Sequence, residues 1–236
     1  MRTRKIVSII ILLIIAGGFM ITFSQIPFGK DKINVANYYI SRGIEETGAV
    51  NIVTSVVLNY RGFDTLGEVT VLFIAAIGLG AVLFVEKRVQ KHTSDNKEDK
   101  AKRASLILRT GSNLLFPLIL LFGAYIFIHG HLTPGGGFQG GAVVASGFLL
   151  IYLAFPKQSI NKKSSSVAES LGGLIFIGIG LLGLIFSGYF LSNFLPKGIP
   201  NTLFSAGIIP IIYIAVGFKV GFDLTGIIDD LLGRSK

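Results

Sequence analysis

Three charged residues that could handle ions stand at the start of an apolar run, in the segment Asn59-Tyr-Arg-Gly-Phe-Asp-Thr-Leu-Gly-Glu68. In a helix that begins near Arg61, positions three, four and seven residues apart share a face, so Arg61, Asp64 or Thr65, and Glu68 form a polar stripe. Two interpretations stay open. The stripe is either an interfacial border, with Arg61 paired to Asp64 and Glu68 solvating the helix start, or it enters the bilayer, where charged groups serve ions or substrates.

A second constellation is the glycine-rich segment HGHLTPGGGFQGG, residues 129–141. Glycine accepts unusual backbone angles and proline fixes the entry, so we expect a structured turn rather than a helix. Its amides could form an anion nest, but the Lys-Ser/Thr of a phosphate loop is missing, so a tight interhelical loop is favoured. The residues of this structural loop are Pro134, Gly135, Gly136, Gly137, Phe138, Gln139, Gly140 and Gly141.

The same segment carries two histidines, His129 and His131. Both are candidate proton-exchanging groups, because histidine changes its charge close to neutral pH. Two imidazoles need further ligands to hold a metal, and the segment does not supply them. We therefore expect no metal site and no cofactor.

The composition indicates that membrane helices position these residues. Of 236 residues, 51% are hydrophobic and only 15% are charged, and the mean hydropathy is +0.68. Since about 20 apolar residues cross a bilayer as a helix, the apolar runs predict six spans. They are residues 6–26, 67–85, 110–129, 138–155, 169–190 and 201–221.

Basic residues are distributed unevenly between the two sides of this membrane protein. With the N-terminus inside, 17 of the 22 Lys and Arg residues fall on the cytoplasmic side, as basic loops do. We therefore expect an all-α, multi-pass protein of the cell membrane with about six transmembrane helices and both termini cytoplasmic. Topology and contact with anionic membrane lipid then explain the net charge of +9, and nucleic acid is not expected as a partner. The first run is interpreted as a retained signal anchor.

Charged side chains are absent from the interiors of the first five runs. Pro117 in the third run and Pro210 in the last run are expected to bend their helices, without a functional role. Lys219 and Asp223 are interpreted as an ordinary snorkelling pair at the inner end of the last run. Transport proteins carry ionisable groups at membrane depth where ions pass, so we expect this chain to be part of a larger assembly rather than a free-standing permease. With no cysteine, it has no iron–sulfur or thiolate site.

Two long stretches resemble components of one family of membrane complexes. The stretch VNIVTSVVLNYRGFDTLGEVTVLFIAAIGLGAVL resembles the C-terminal part of MrpA, the large subunit of Mrp-type Na+/H+ antiporters. The stretch from about Leu106 onward, with HGHLTPGGGFQGG at its heart, resembles the small subunit MrpB. Equivalent subunits, MbhE and MbhF, occur in the membrane arm of archaeal energy-converting hydrogenases and of the related sulfane sulfur reductases.

The resemblance implies three regions: a two-helix part at 1–88 similar to MbhE, a charged cytoplasmic linker at 89–104, and a four-helix part at 105–236 similar to MbhF. It also implies a subunit without catalysis of its own, with other Mrp-like or hydrogenase-like membrane subunits as partners and Na+ and H+ as the transported ions. Arg61, Asp64 and Glu68 match a stretch that supports ion transfer and assembly, whereas the loop around Pro134 and Phe138 matches a structural element. Alternatives are an arm subunit of a hydrogenase or sulfane sulfur reductase, or a structural spacer that carries no ions.

Overall fold

The computed structural model describes residues 2–25, 35–93, 104–156, 158 and 162–232. These divide into two compact units, residues 1–37 and residues 38–236. Most of the charged linker expected at 89–104, namely residues 94–103, lies outside the described residues.

Helices form the regular structure of both units, and the described residues contain no β-strand. In chain order they are α1 (Arg2–Gln25), α2 (Val35–Thr47), the single turn α3 (Ile52–Thr54), α4 (Gly62–Thr93), α5 (Leu106–Ile128), α6 (Gly137–Ala154), α7 (Lys162–Ser187) and α8 (Ile209–Leu231). A π-helical segment, Ser55–Tyr60, continues α3 to the start of α4. The apolar residues from Ala49 to Leu58, too few to cross a bilayer, thus form a short broken helix.

Five of these helices are long and apolar enough to cross a membrane, and Ile9–Gln25 of α1 forms a shorter apolar helix. The membrane-length segments are Gly62–Leu83, Leu106–Ile128, Gly137–Ala154, Ser165–Ser187 and Ile209–Leu231. This confirms the predicted all-α polytopic class. The sidedness of the termini stays a prediction.

Helix α8 is the centre of the second unit. It packs against α4, α5, α6 and α7, and 56% of its membrane-length window is buried, against 6% for α4. Its core residues Ile212, Val216 and Val220 recur every four positions and are at most 1% exposed, as expected for a helix that buries a continuous stripe. The other long helices leave large apolar faces exposed, which in a bilayer are covered by lipid or by neighbouring proteins.

The last predicted span was misplaced along the chain. Residues 201–208 form an irregular turn rather than helix, in which the Asn193 side chain accepts a hydrogen bond from the Ile208 amide and donates one to the Ala206 carbonyl, both at 3.1 Å. Pro210 lies in the first turn of α8, where its missing N–H costs nothing, so it starts the helix instead of kinking it. The span is therefore shifted toward the C-terminus.

Candidate functional site

The glycine-rich segment divides into a turn and a helix start. Residues 129–136 form the turn, while Gly137–Gly141 belong to α6. The predicted non-helical segment, which ran to Gly141, therefore extended five residues too far. Asn51 donates its side-chain amide to the carbonyls of Gly130 and Thr133, at 2.9 and 3.0 Å. The Thr54 hydroxyl donates to the same Gly130 carbonyl at 2.7 Å. The segment before α4 therefore holds the turn in place.

The turn is also fixed from the side of α8. The Tyr213 hydroxyl lies 2.8 Å from that of Thr54, and a Cβ on Gly130 would come within 2.8 Å of the Tyr213 ring. Only glycine fits between ring and turn. The residues that hold the loop, Asn51 and Thr54, thus precede the charged stretch and are not part of it.

Glycines at the start of α6 allow a close approach to its neighbours. A Cβ on Gly137 would come within 2.7 Å of the Val216 side chain and 2.9 Å of the Tyr213 carbonyl oxygen. A Cβ on Gly141 would lie 2.8 Å from the Gly217 carbonyl oxygen. Packing geometry rather than an unusual backbone angle requires glycine at these two positions, since small residues let membrane helices touch backbone to backbone.

The two histidines occupy different environments. The His129 ring stacks on Tyr125 with centroids 4.3 Å apart. His131 is completely buried, and burial lowers the pKa of its imidazole, an effect that the nearby backbone of Thr202 and Leu203 partly offsets. His131 is therefore held neutral near physiological pH. Among the described residues, no group of three or more His, Cys, Asp or Glu side chains could hold a metal ion.

The charged stripe near the start of α4 lies at the surface of the chain. Arg61 and Asp64 form an ion pair in which both side chains are more than half exposed, and Glu68 is exposed as well. Thr65 instead points inward and donates a hydrogen bond to the Val57 carbonyl at 2.7 Å. The structure thus brings Arg61 and Asp64 together, leaves Glu68 open to a neighbour or to lipid, and separates all three from the histidines by the segment Asn51–Tyr60.

A buried cluster of charges on α7 and α8 was missed by sequence reasoning. Lys219 is the eleventh of the 23 residues of α8, so at about 1.5 Å per residue it lies near the middle of the helix rather than at its inner end. Its ammonium is 3.2 Å from a carboxylate oxygen of Asp223 and 3.9 Å from one of Glu169. Lys219 and Asp223 are 7% and 1% exposed, so the expected snorkelling pair is in fact buried.

Helices α4 and α7 both pack closely against Lys219. The Lys219 ammonium lies 4.7 Å from the centroid of the Phe73 ring on α4, a cation–π distance. On α7, a Cβ at Gly172 would come within 3.0 Å of the Lys219 Cβ, so glycine lets α7 approach at this point. The one sequence signal was the spacing Lys219–Asp223, which gains its meaning only once α8 is known to run to Leu231.

Five helices of membrane length, four of them packed against the buried, ion-paired helix α8, define the chain as a polytopic integral membrane protein. A family model described as a domain related to the MnhB subunit of Na+/H+ antiporters matches residues 107–226. A second family model, MbhE of the MBH complex, matches residues 3–98. The chain belongs to the MnhB-related family of antiporter subunits, and it is a membrane subunit of a cation antiporter-like module located in the cell membrane.

Relatives match both parts of the chain. An uncharacterized protein of Methanocaldococcus jannaschii is 31% identical over 225 residues, which cover 85% of this chain and 86% of that protein. A probable K+/H+ antiporter A/B protein of Rhizobium meliloti is 29% identical over 170 residues, covering 65% of this chain but 17% of that protein. A putative antiporter subunit mnhB2 of Staphylococcus aureus is 32% identical over 96 residues, 39% of this chain and 68% of that protein.

Solved structures agree with this assignment. A chain from the membrane-bound sulfane sulfur reductase, an archaeal respiratory membrane complex, superposes with a TM-score of 0.75 at 46% identity, covering 97% of this chain and 98% of that one. A chain of the Mrp complex from Dietzia sp. DQ12-45-1b shares the fold, with a TM-score of 0.69 at 24% identity, covering 98% of this chain and 26% of that one. The predicted family resemblance is thereby confirmed.

Proposed function

We propose that this chain is a non-catalytic membrane subunit that supports both assembly and cation/proton transfer in a multisubunit complex, with Na+ and H+ as the ions. The host complex we favour is a redox-driven one of the sulfane sulfur reductase type. The observation that carries this choice is the end-to-end correspondence with a chain of that reductase, at 46% identity over 97% of the sequence. The Dietzia relative, by contrast, extends far beyond the region that this chain matches.

The surface of α4 supports a place among other subunits. Its membrane-length window is only 6% buried within this chain, although the helix begins with the charged stripe of Arg61, Asp64 and Glu68. Charged groups at a membrane helix are costly in lipid and are stabilised by water or by a protein neighbour. We assign this stripe to an ion-conducting contact with a larger subunit. His129 and His131, which lie apart from the stripe, remain separate proton-exchange candidates.

The remaining parts of the proposal concern organisation. The region 1–88 is the MbhE-like part, 105–236 is the MbhF-like part, and the charged linker 89–104 joins them on the cytoplasmic side together with both termini. Pro134 and the glycines that follow it, up to Gly141 in the first turns of α6, form a structural element that fixes α6 against α8. Anionic lipid surrounds the basic cytoplasmic loops.

Purification under mild detergent tests the proposal. An affinity tag on this chain should retain a set of different membrane subunits in stable proportion, together with redox subunits if the host is a reductase. A preparation that contains this chain alone, as monomer or homo-oligomer, would contradict it. Redox subunits in the preparation distinguish the reductase-type host from a stand-alone antiporter.

A structural spacer is the second candidate, because the Arg61–Asp64 pair is satisfied within this chain and exposed. A spacer would use the stripe only to bind its neighbour. Replacing Arg61, Asp64 and Glu68 together by Gln, Asn and Gln separates the two functions. Loss of complex yield with unchanged transport per assembled complex would favour the spacer.

A further inference from the structure

The cluster of Glu169, Lys219 and Asp223 lies deep within the bundle. At about 1.5 Å per residue, Lys219 is roughly 15 Å from the first residue of α8 and roughly 18 Å from the last. The side chain of Asp223 is fully buried, whereas that of Glu169 is 21% exposed. An ionisable group at this depth is costly unless it is paired or takes part in ion transfer.

The charges in the cluster do not balance when every group is ionised. Lys219 supplies one positive charge, while Glu169 and Asp223 supply two negative ones. Asp223 takes the closer place, with both of its oxygens within 3.5 Å of the ammonium. The cluster is electrically neutral with one proton bound.

Glu169 borders two clefts in the bundle. The first, which we call the polar cleft, has a volume of about 200 Å³ and is lined by Ser165, Ser166, Thr225, Asp229 and Asp230 among others. The second, the α4 cleft, has a volume of about 250 Å³ and is lined by Thr70 and Phe73 of α4 and by Lys219. Of the residues around the polar cleft, only Glu169 also lines the α4 cleft.

We propose that Glu169 is a proton-binding site that connects the two clefts. A hydronium ion in the polar cleft gives its proton to a carboxylate oxygen of Glu169 and becomes water. The protonated carboxyl then gives the proton to a water molecule in the α4 cleft, which becomes hydronium, and the carboxylate is restored. Lys219 and Asp223 are positioning residues. Their ion pair carries no net charge, so Glu169 becomes neutral on binding one proton. The role of Glu169 in proton-coupled transport rests on the proposed function, whereas the binding of a proton by Glu169 does not.

The groups that face Glu169 come from each helix packed around it. From α8 these are Lys219, Asp223, Asp229 and Asp230, and from α6 the phenol of Tyr152. From α4, the described residues that line the cleft carry no titratable group. Glu169 is thus the carboxyl that stands between the polar cleft and the α4 cleft, where Lys219 is the other charged residue of the described lining.

Carbodiimide labelling tests the assignment. Dicyclohexylcarbodiimide enters apolar environments and reacts with a carboxyl group only while it is protonated. In the complex purified by its tag, the peptide that carries Glu169 should be labelled strongly at mildly acidic pH, and this labelling should fall several-fold as the pH is raised. Peptide mass spectrometry reads the modified residue directly. The measurement works equally on the chain purified alone, so its failure is separate from failure of the proposed function.

Two variants and one internal control complete the experiment. Glu169→Gln should lose the adduct, while Glu169→Asp should retain it. Glu45, which is exposed and paired with Arg42, should stay unlabelled throughout. No adduct on Glu169 at acidic pH, an adduct that does not change with pH, or an adduct on Asp223 instead would each overturn the proposal.

Discussion

At the scale of single residues, the charged stripe at the start of α4 shows what sequence spacing can establish. One of the two interpretations that the spacing left open pairs Arg61 with Asp64, and this ion pair is present. Spacing could not show that Thr65 turns inward to bond the Val57 carbonyl, because that depends on the π-helical segment before α4. The role of the stripe in ion transfer remains a proposal.

Glu68→Gln tests that role. The change keeps the size of the side chain and removes its negative charge, so we expect Na+-dependent proton movement to fall several-fold while the complex stays assembled. Reconstituted vesicles with a pH-sensitive dye provide the measurement, and Glu45→Gln on α2 is a matched control at another exposed carboxylate. Unchanged transport in the Glu68 variant would count against the proposal.

His131 predicts a pH dependence of stability. Burial lowers the pKa of its imidazole, so the unfolded chain binds a proton more readily than the folded one. The contribution of His131 is therefore complete above the ordinary histidine pKa of about 6.5, and stability falls as the pH drops through that value. In detergent, the thermal unfolding midpoint should decrease on mild acidification, and less so in His131→Gln. Equal decreases in both proteins would show that other groups cause the effect.

At the scale of elements, the helices were predictable and four of the membrane-length spans end within a few residues of their predicted bounds, but the last span was not placed correctly. Five of the predicted spans correspond to long apolar helices, but the last was placed several residues too early. Hydropathy does not reveal that the Asn193 side chain hydrogen-bonds residues 206 and 208 and so stabilises a turn. It also does not reveal that Pro210 lies at the start of a helix. Because the predicted span ended at residue 221, Lys219 was placed at the end of the helix rather than near its middle, and the charged cluster was not predicted.

The contact between α6 and α8 gives a prediction at this scale. Gly137→Val places branched carbon atoms where a Cβ alone would be 2.7 Å from Val216, and such overpacking costs about 1–3 kcal/mol. We expect less assembled complex in the membrane, measured by quantitative blotting after mild solubilisation. Gly178→Val is the matched control, because a Cβ there meets no atom within 4 Å. Normal assembly of the Gly137 variant would mean that this contact is dispensable.

At the scale of the whole molecule, the membrane class and the family were predictable from the sequence, because both depend on composition and on long motifs. The expectation of a charge-free interior is wrong where α7 meets α8: Lys219 and Asp223 of α8 are buried, and Glu169, the first residue of the fifth predicted run, pairs with Lys219. Two other observations support the conclusion that the chain acts within an assembly. Helix α4 buries little of its surface within the chain, and the matching structures come from multisubunit membrane complexes.

Reconstitution of the purified complex and of this chain alone, side by side in vesicles, tests most directly whether the chain depends on companion subunits for transport. A Na+ gradient should drive proton movement in vesicles that contain the complex, and none above the empty-vesicle level in vesicles that contain only this chain. Sodium-dependent proton movement by the isolated chain, at a rate per molecule similar to that of the complex, would contradict the assignment as a supporting subunit.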